Sequence, residues 1–391
     1  MIKDRPSNKK NYLGLALCVA MLSVTACEKP SSSEHPLNML TPPFDIELAR
    51  ASVQSPYTSK YKCKPIPAPQ EDLFFESMYD KKSKNSSIVS PEALKAYQEK
   101  TTSIRDLEKG LASISDRYLY SNPPRPEIAA CGISWMIFWA NHDGFLGQAN
   151  SMGEFVRKWA LASISLSYIQ IKDDESLSKK DKEKVRKWIH NMAVHVINDF
   201  SDHRERASRQ NNHLYWAAWG VMSAAVALDD RDMYKWALDQ ARFGIFQIQP
   251  DGNLPLEIER GPKAYNYHHY AAIPLFLMAE TASRNGDDIF GENDNALARL
   301  ARLILDNMED QTYFVEKTGK KQNLERTISS SNLAWLEIYY KHSNDPEALR
   351  WLEEYRPIKH SRAGGNVTLL YAHIDVRPKK DDQEDEKNSD E

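Results

Sequence analysis

Apolar residues return at helical spacing through most of this chain, and no other feature limits its fold as strongly. Phe155, Trp159, Ala162, Leu166 and Ile169 recur at steps of four and three, and Val185, Ile189, Met192 and Val196 repeat the pattern. Further stretches of the same kind run from Tyr215 to Ala227, Asp232 to Ile248, Tyr270 to Thr281, Asn295 to Met308, Ser331 to His342 and Pro346 to Tyr355. The breaks between them are short, as at "LDDRD" (228–232) and "RNGDD" (284–288), so successive helices are expected to pack antiparallel. Only "VTLLYAHIDV" (367–376) reads as a strand. The expected class is all-α, a series of helical hairpins curving into a toroid or solenoid whose concave face suits an extended polymer.

The two ends have a different character. Lys3, Arg5, Lys9 and Lys10 precede an apolar run over 12–24, the pattern of a bacterial secretory signal, and the run is too short to span a bilayer. It closes on "VTAC", which resembles a lipoprotein lipobox, so residues 1–26 read as a signal peptide and Cys27 as the lipid-bearing residue. Glu28 follows Cys27 where an aspartate would favour retention in the inner membrane. The resemblance therefore implies a periplasmic protein anchored to the outer membrane of a Gram-negative cell, touching membrane through its lipid alone. Residues 27–69 are polar and proline-rich and read as a tether, 70–376 as the folded domain, and 377–391 as an acidic tail without fold. "DKKSKNSS" (80–87) reads as a mobile basic loop. Once Cys18 and Cys27 are accounted for, Cys63 and Cys131 remain, either as a disulfide in an oxidising compartment or as two buried thiols. With 391 residues carrying a formal charge of −4, and no basic block interleaved with aromatics, nucleic-acid binding is not expected.

The chemistry-bearing residues fall into two groups. The first is "NNHLYWAAWG" (211–220), where Asn212 suits a helix cap and His213, Trp216 and Gly220 share one helical face, with Trp216 offering a flat apolar plate to a sugar ring. The second, "DGNLPLEIERGPKAYNYHHYA" (251–271), gathers Glu257, Glu259, Arg260, Lys263, Tyr265, Tyr267, His268, His269 and Tyr270 in a segment broken by Gly252, Pro255, Gly261 and Pro262. A structured loop of this composition is where function concentrates. His213, His268 and His269 lack regular ligand spacing, so neither a metal nor another cofactor is expected.

Together these segments resemble the alginate lyases of polysaccharide lyase family 5, which carry Asn-Asn-His-x-Tyr-Trp and then Leu-Pro-x-Glu, an arginine and Tyr-His-x-Tyr-Ala at the same separation. The similarity continues through "LFFESMYD", "CGISWMIFWA", "RKWALASISLSYIQIK", "FVEKTG" and "LAWLEIYY", from about Cys63 to Thr368. It implies an incomplete (α/α) toroid and β-elimination on an acidic polysaccharide, acting as a monomer. The resemblance also implies that Asn212 and Arg260 neutralise the uronate carboxylate, that Tyr267 lies on the reacting bond, and that His213 stands beside it as base or electrostatic partner. Asn211, Tyr215, Trp216, Lys263, Tyr265 and His268 are the expected substrate contacts. Where the family has Phe-Thr-Ser-Lys-Tyr this chain has "FESMY", so Met78 replaces a lysine that reaches over the cleft, and Lys81, Lys82 or Lys84 is the expected substitute. The expected activity is cleavage of β-linked mannuronate or glucuronate polymers. Two other readings stay open: a noncatalytic polyuronate-binding protein of an export or biosynthesis system, and a hydrolase using Glu257 with Asp251.

Overall fold

The computed structural model describes residues 39–80, 88–325 and 327–376. The expectations placed on 1–26, on Cys27, on Lys81, Lys82 and Lys84, and on 377–391 lie outside the described residues.

The helices are α1 (Ile46–Ala51), α2 (Pro91–Lys100), α3 (Thr102–Leu119), α4 (Pro126–Asn141), α5 (Ser151–Ile171), α6 (Lys179–Ser201), α7 (Asn212–Leu228), α8 (Arg231–Gln247), α9 (Pro255–Ile258), α10 (Ala264–Arg284), α11 (Glu292–Asp306), α12 (Thr312–Thr318), α13 (Ala334–Ser343) and α14 (Pro346–Tyr355). Their packing resolves into two layers. In the inner layer α3 packs on α5, α5 on α7, α7 on α10 and α10 on α13; outside, α4, α6, α8, α11 and α14 each lie against the inner helix next to them in sequence. Composition explains the division. Nearly every residue of α5, α7 and α10 is buried, because these helices are largely apolar or small and their few charged side chains, such as Arg157 and Glu280, find partners, whereas α6 buries one stripe that includes Val185, Trp188, Ile189, Met192 and Val196. Local signals set the helix ends: Asn150, Ser178 and Asp230 each accept a backbone N–H of the first turn of α5, α6 and α8, and Asp229 and Asn344 close α7 and α13 in the left-handed conformation.

Two expectations need correction. Residues 39–69 are not tether: Leu40, Phe44 and Ala49 are buried, and Asp45 caps the short α1. The prolines remove donors, and amides at the start of the segment find side-chain partners in the folded domain, Leu40 N–H on Asp229 and Thr41 N–H on Asn285, both at 2.8 Å. The indole of Trp139 donates to Pro67 O, and Cys63 is bonded to Cys131 of α4. The second correction concerns 367–376. Here Thr368–Ala372 form a π-helical turn, and the short antiparallel pair lies just before it, Lys359–His360 with Gly365–Asn366. Val367, Leu369 and Leu370 are all buried, so consecutive apolar residues here fill a compact buried turn and not an extended strand.

The last described segment also completes the ring. Its 3-10 turn, Ser361–Ala363, packs on α5 and α3, and the π-helical turn packs on α13 and α1, so one strap bridges the two ends of the inner layer. Replacing Cys63 with Ser and Cys131 with Ala should lower the unfolding free energy by about 4 kcal/mol, the loop-closure value for a crosslink spanning 68 residues. Chemical denaturation of the oxidised protein and the double variant checks this, and coincident midpoints would refute it.

Candidate active site

The start of α7 is held by a buried carboxylate. Asn211, in extended conformation, is the N-cap and accepts the His213 N–H at 3.0 Å, so the capping role expected of Asn212 belongs to its neighbour. Asn212 is fully buried, and its backbone N–H and side-chain Nδ2 donate to Glu257 of α9 at 2.8 to 2.9 Å. Burial pushes the Glu257 carboxyl up, the donors of Asn212 and the Arg260 charge pull it back, and burial prevails. Asn212 therefore faces the core, and the amide that reaches the cleft is that of Asn211.

His213 lies flat on Phe155, ring centroids 3.9 Å apart and planes within 9°. Its Nδ1 is 3.0 Å from the Lys158 ammonium group. Burial, together with Lys158, Arg260 and Arg209, holds its pKa well below the ordinary histidine value, so the imidazole is neutral at neutral pH.

The second cluster is shaped by its breakers. Pro255 opens α9, and Gly261 turns the chain at φ +57° into a 3-10 turn that leads to α10. His268 braces the turn from inside: its Nδ1–H donates to Ala264 O at 2.7 Å and its Nε2 accepts Leu254 N–H at 3.0 Å. The result places the Arg260 guanidinium 3.6 Å from the centre of the Tyr267 ring. The Tyr267 hydroxyl meets the Tyr79 hydroxyl at 2.6 Å, and the Lys263 ammonium lies 4.9 Å over the Tyr79 ring. Burial raises the Tyr267 pKa well above its usual value; Arg260 opposes the shift and Tyr79 adds to it. The cation thus moderates the phenol without reversing the effect of burial.

These groups open on one cleft of about 700 Å³, walled by Ile104, Arg105 and Glu108 of α3, by Met152, Val156 and Trp159 of α5, and by Met78 and Tyr79. Arg362, carried by the closing strap, donates to Glu108 at 3.0 and 3.3 Å and lies 4.5 Å over the Trp159 ring. Arg105, Arg260 and Arg362 face Glu108 and Glu259, so the cleft is net positive.

Sequence reasoning brought Asn211, His213, Arg260 and Tyr267 to this cleft, and Lys263 to its edge. Tyr215, Trp216, Tyr265 and His268 do not reach it: all four are essentially without exposed surface. Trp216 donates its indole N–H to Tyr270 O and stacks on His360 at 5.6 Å, so its flat face serves the core and not a sugar. Asp251 is bonded to Lys317 and Tyr313, and Glu257 is enclosed and bonded to Asn212, so this pair is not placed to act as the two carboxylates of a hydrolase. Missed from the sequence were Tyr79, Arg105, Lys158 and Arg362. Tyr79 had a signal, since it ends the "FESMY" stretch; Arg362 had only the Gly364-Gly365 pair beside it. Those glycines stand at φ +104° and +105°, and a Cβ on Gly365 would collide with Asp116, so the strap that delivers Arg362 needs glycine there.

A family model described as alginate lyase matches residues 75–314. An alginate lyase of Cobetia marina is 34% identical over 316 residues, 79% of this chain and 83% of the relative. One from Pseudomonas syringae pv. syringae (strain B728a) is 34% identical over 318 residues, 80% of this chain and 83% of the relative. Among solved structures, alginate lyase A1-III from Sphingomonas species A1 superposes with a TM-score of 0.74 at 23% identity, covering 88% of this chain and 99% of that one. An alginate lyase from Bacteroides ovatus gives 0.60 at 15% identity, covering 84% and 93%. The two-layered helical ring is thus the α/α toroid of these neighbours.

The Tyr267 phenol is expected to ionise above the ordinary value of 10.0, and Arg260→Ala should move it further up, because the guanidinium is the main group pulling it down. Tyrosine-selective carbon NMR against pH reads this directly; ionisation at or below the ordinary value would contradict the burial argument.

Proposed function

The chain belongs to the alginate lyase family, and on that premise we propose that it is a polysaccharide lyase that cuts β-linked uronic-acid polymers, polymannuronate and glucuronan-like chains, by β-elimination. The observation that carries this reading is the meeting of Arg260, Tyr267 and His213 in one positively charged cleft of about 700 Å³. The C5 proton of a uronate becomes acidic only if the adjacent carboxylate is held by donors or cations as charge moves onto it. Arg260 supplies the charge. The cleft-facing amide is Asn211, whose Nδ2 has no partner among the described residues, so it takes the donor role expected of Asn212.

The elimination balances within one residue. Tyr267 as phenolate takes the C5 proton, the C5–H electron pair becomes the C4–C5 double bond, and the C4–O bond breaks. The departing glycosidic oxygen then receives the proton from Tyr267, which returns to phenolate, and no water is consumed. Because burial disfavours the phenolate, the rate should climb with pH into the alkaline range. Met78 stands in the cleft wall, and the cations lining the cleft are Arg105, Arg260 and Arg362, the last shared with Glu108.

The address is inferred from the amino terminus. The basic stretch, the apolar run and "VTAC" support export and lipid attachment at Cys27, with the protein held in the periplasm on the outer membrane.

Tyr267→Phe should reduce turnover of polymannuronate by about 10²–10⁴-fold or more while the polymer still binds. Ultraviolet absorbance of the unsaturated uronate measures turnover, and a variant that keeps most of its rate would remove Tyr267 from the reaction. A noncatalytic binder would generate no such absorbance from any uronan. Cys27→Ser should move the protein from the membrane pellet to the soluble periplasmic fraction, and unaltered membrane residence would refute lipid anchoring.

A further inference from the structure

Lys158 lies in the middle of α5, flanked by Phe155 and Trp159, and has no exposed surface. Burying a lysine nitrogen is costly unless each hydrogen finds an acceptor. Among the described residues no carboxylate is paired with it: Glu154, one turn earlier on α5, is bonded to Arg209. Both of its acceptors belong to one residue, His213, whose carbonyl oxygen is at 2.7 Å and Nδ1 at 3.0 Å. The faces of Phe155, Trp159 and Phe200 lie 4.7, 5.3 and 4.8 Å away and favour a cation.

We propose that Lys158 is a positioning residue for the elimination: by donating to Nδ1 it keeps His213 as the Nε2–H tautomer, a hydrogen-bond donor aimed into the cleft, and so leaves both proton transfers to Tyr267. This rests on the lyase reading for its catalytic consequence, but the tautomer itself is a property of the free protein. A carbonyl oxygen only accepts, so the lysine nitrogen must donate to it. An ammonium offers hydrogens alone, which obliges Nδ1 to accept as well, and a neutral imidazole then carries its single hydrogen on Nε2. Burial, Arg209 and Arg362 draw Lys158 below the usual lysine range, while Glu154, the three aromatic faces and the two acceptors of His213 favour the ammonium form. His213 is faced by Lys158, Arg260 and Arg209, all of which favour its neutral form. Its Nε2 has no partner among the described residues, and the ring lines the cleft, so the free nitrogen is the one turned toward substrate.

A donor at that position cannot receive the C5 proton. Tyr267 alone serves sugars whose C5–H and C4–O bonds share a face, as in mannuronate and glucuronate. Guluronate places them on opposite faces and requires a second base, which His213 in this tautomer does not provide. Lys158 therefore enters the choice of substrate without touching it.

Long-range proton–nitrogen correlation of the imidazoles in the whole protein tests this, with His213→Gln identifying the signal among 11 histidines. The wild type should show an Nε2–H imidazole with Nδ1 as acceptor. In Lys158→Met the His213 signal should lose that single tautomer and begin to titrate at higher pH, since one opposing charge is gone. Turnover of polymannuronate should fall by about 100-fold with KM little changed, the loss expected when a reacting group is mispositioned. Polyguluronate should be cut at least about tenfold more slowly than polymannuronate by the wild type. An Nδ1–H signal in the wild type overturns the proposal even if the variant does not fold, and so does a variant with unchanged tautomer and turnover. Polyguluronate cut as fast as polymannuronate overturns the link to substrate. If no uronan yields unsaturated ends, the lyase reading fails, while the NMR signal still decides the role of Lys158.

Discussion

The buried carboxylate of Glu257 is the contact on which the site depends. It receives the backbone and side-chain donors of Asn212, and in doing so fixes the mouth of α7 against α9 across 45 residues of sequence. His213 is the next residue on one side and Arg260 lies three residues on from Glu257 on the other. A buried carboxylate at a helix start is favoured by the donors and dipole that meet it there, and it is costly to leave unmatched. The same residue that looks from the sequence like a free acid is thus the clasp between two halves of a cleft. Its own burial is what removes it from acid–base work.

Burial also assigns protonation states, in opposite senses for the two residues nearest the chemistry. It empties His213 of its second proton and keeps a proton on Tyr267. Arg260 acts on both, reinforcing the first effect and opposing the second. Low dielectric makes each of these charges felt strongly, so an incoming carboxylate meets a site whose dipoles are already oriented.

Much of the fold was legible because α5 and α6 follow one another with clean helical periodicity and short turns. Periodicity says which face is apolar but not how many faces are covered. On α7 every side is buried, so Tyr215 and Trp216 share the sequence context of a site and yet belong to the core. The reverse holds for Lys158, which reads as the charged edge of an amphipathic helix and lies in the inner layer. Arg260 and Tyr267 were visible because local breakers and their neighbours announce them. Arg362 was not: it comes from a segment 102 residues beyond Arg260, on a strap whose course is set by Asp116, Gln170 and Trp219 rather than by its own residues. The prolines of 39–69 suggested a linker, since composition does not reveal that side chains such as Asp229 and Asn285 lie ready to receive those amides.

That strap has a consequence for how the protein comes into being. The guanidinium of Arg362 and the closure between α3 and α13 both arrive with residues 359–372, after every helix of the ring has been made. A chain emerging amino terminus first can therefore collapse its inner helices while the groove still lacks one wall. Competence is acquired only once that segment has been made, so a product released before it would keep the ring's helix content and differ from the whole in being unable to grip its polymer.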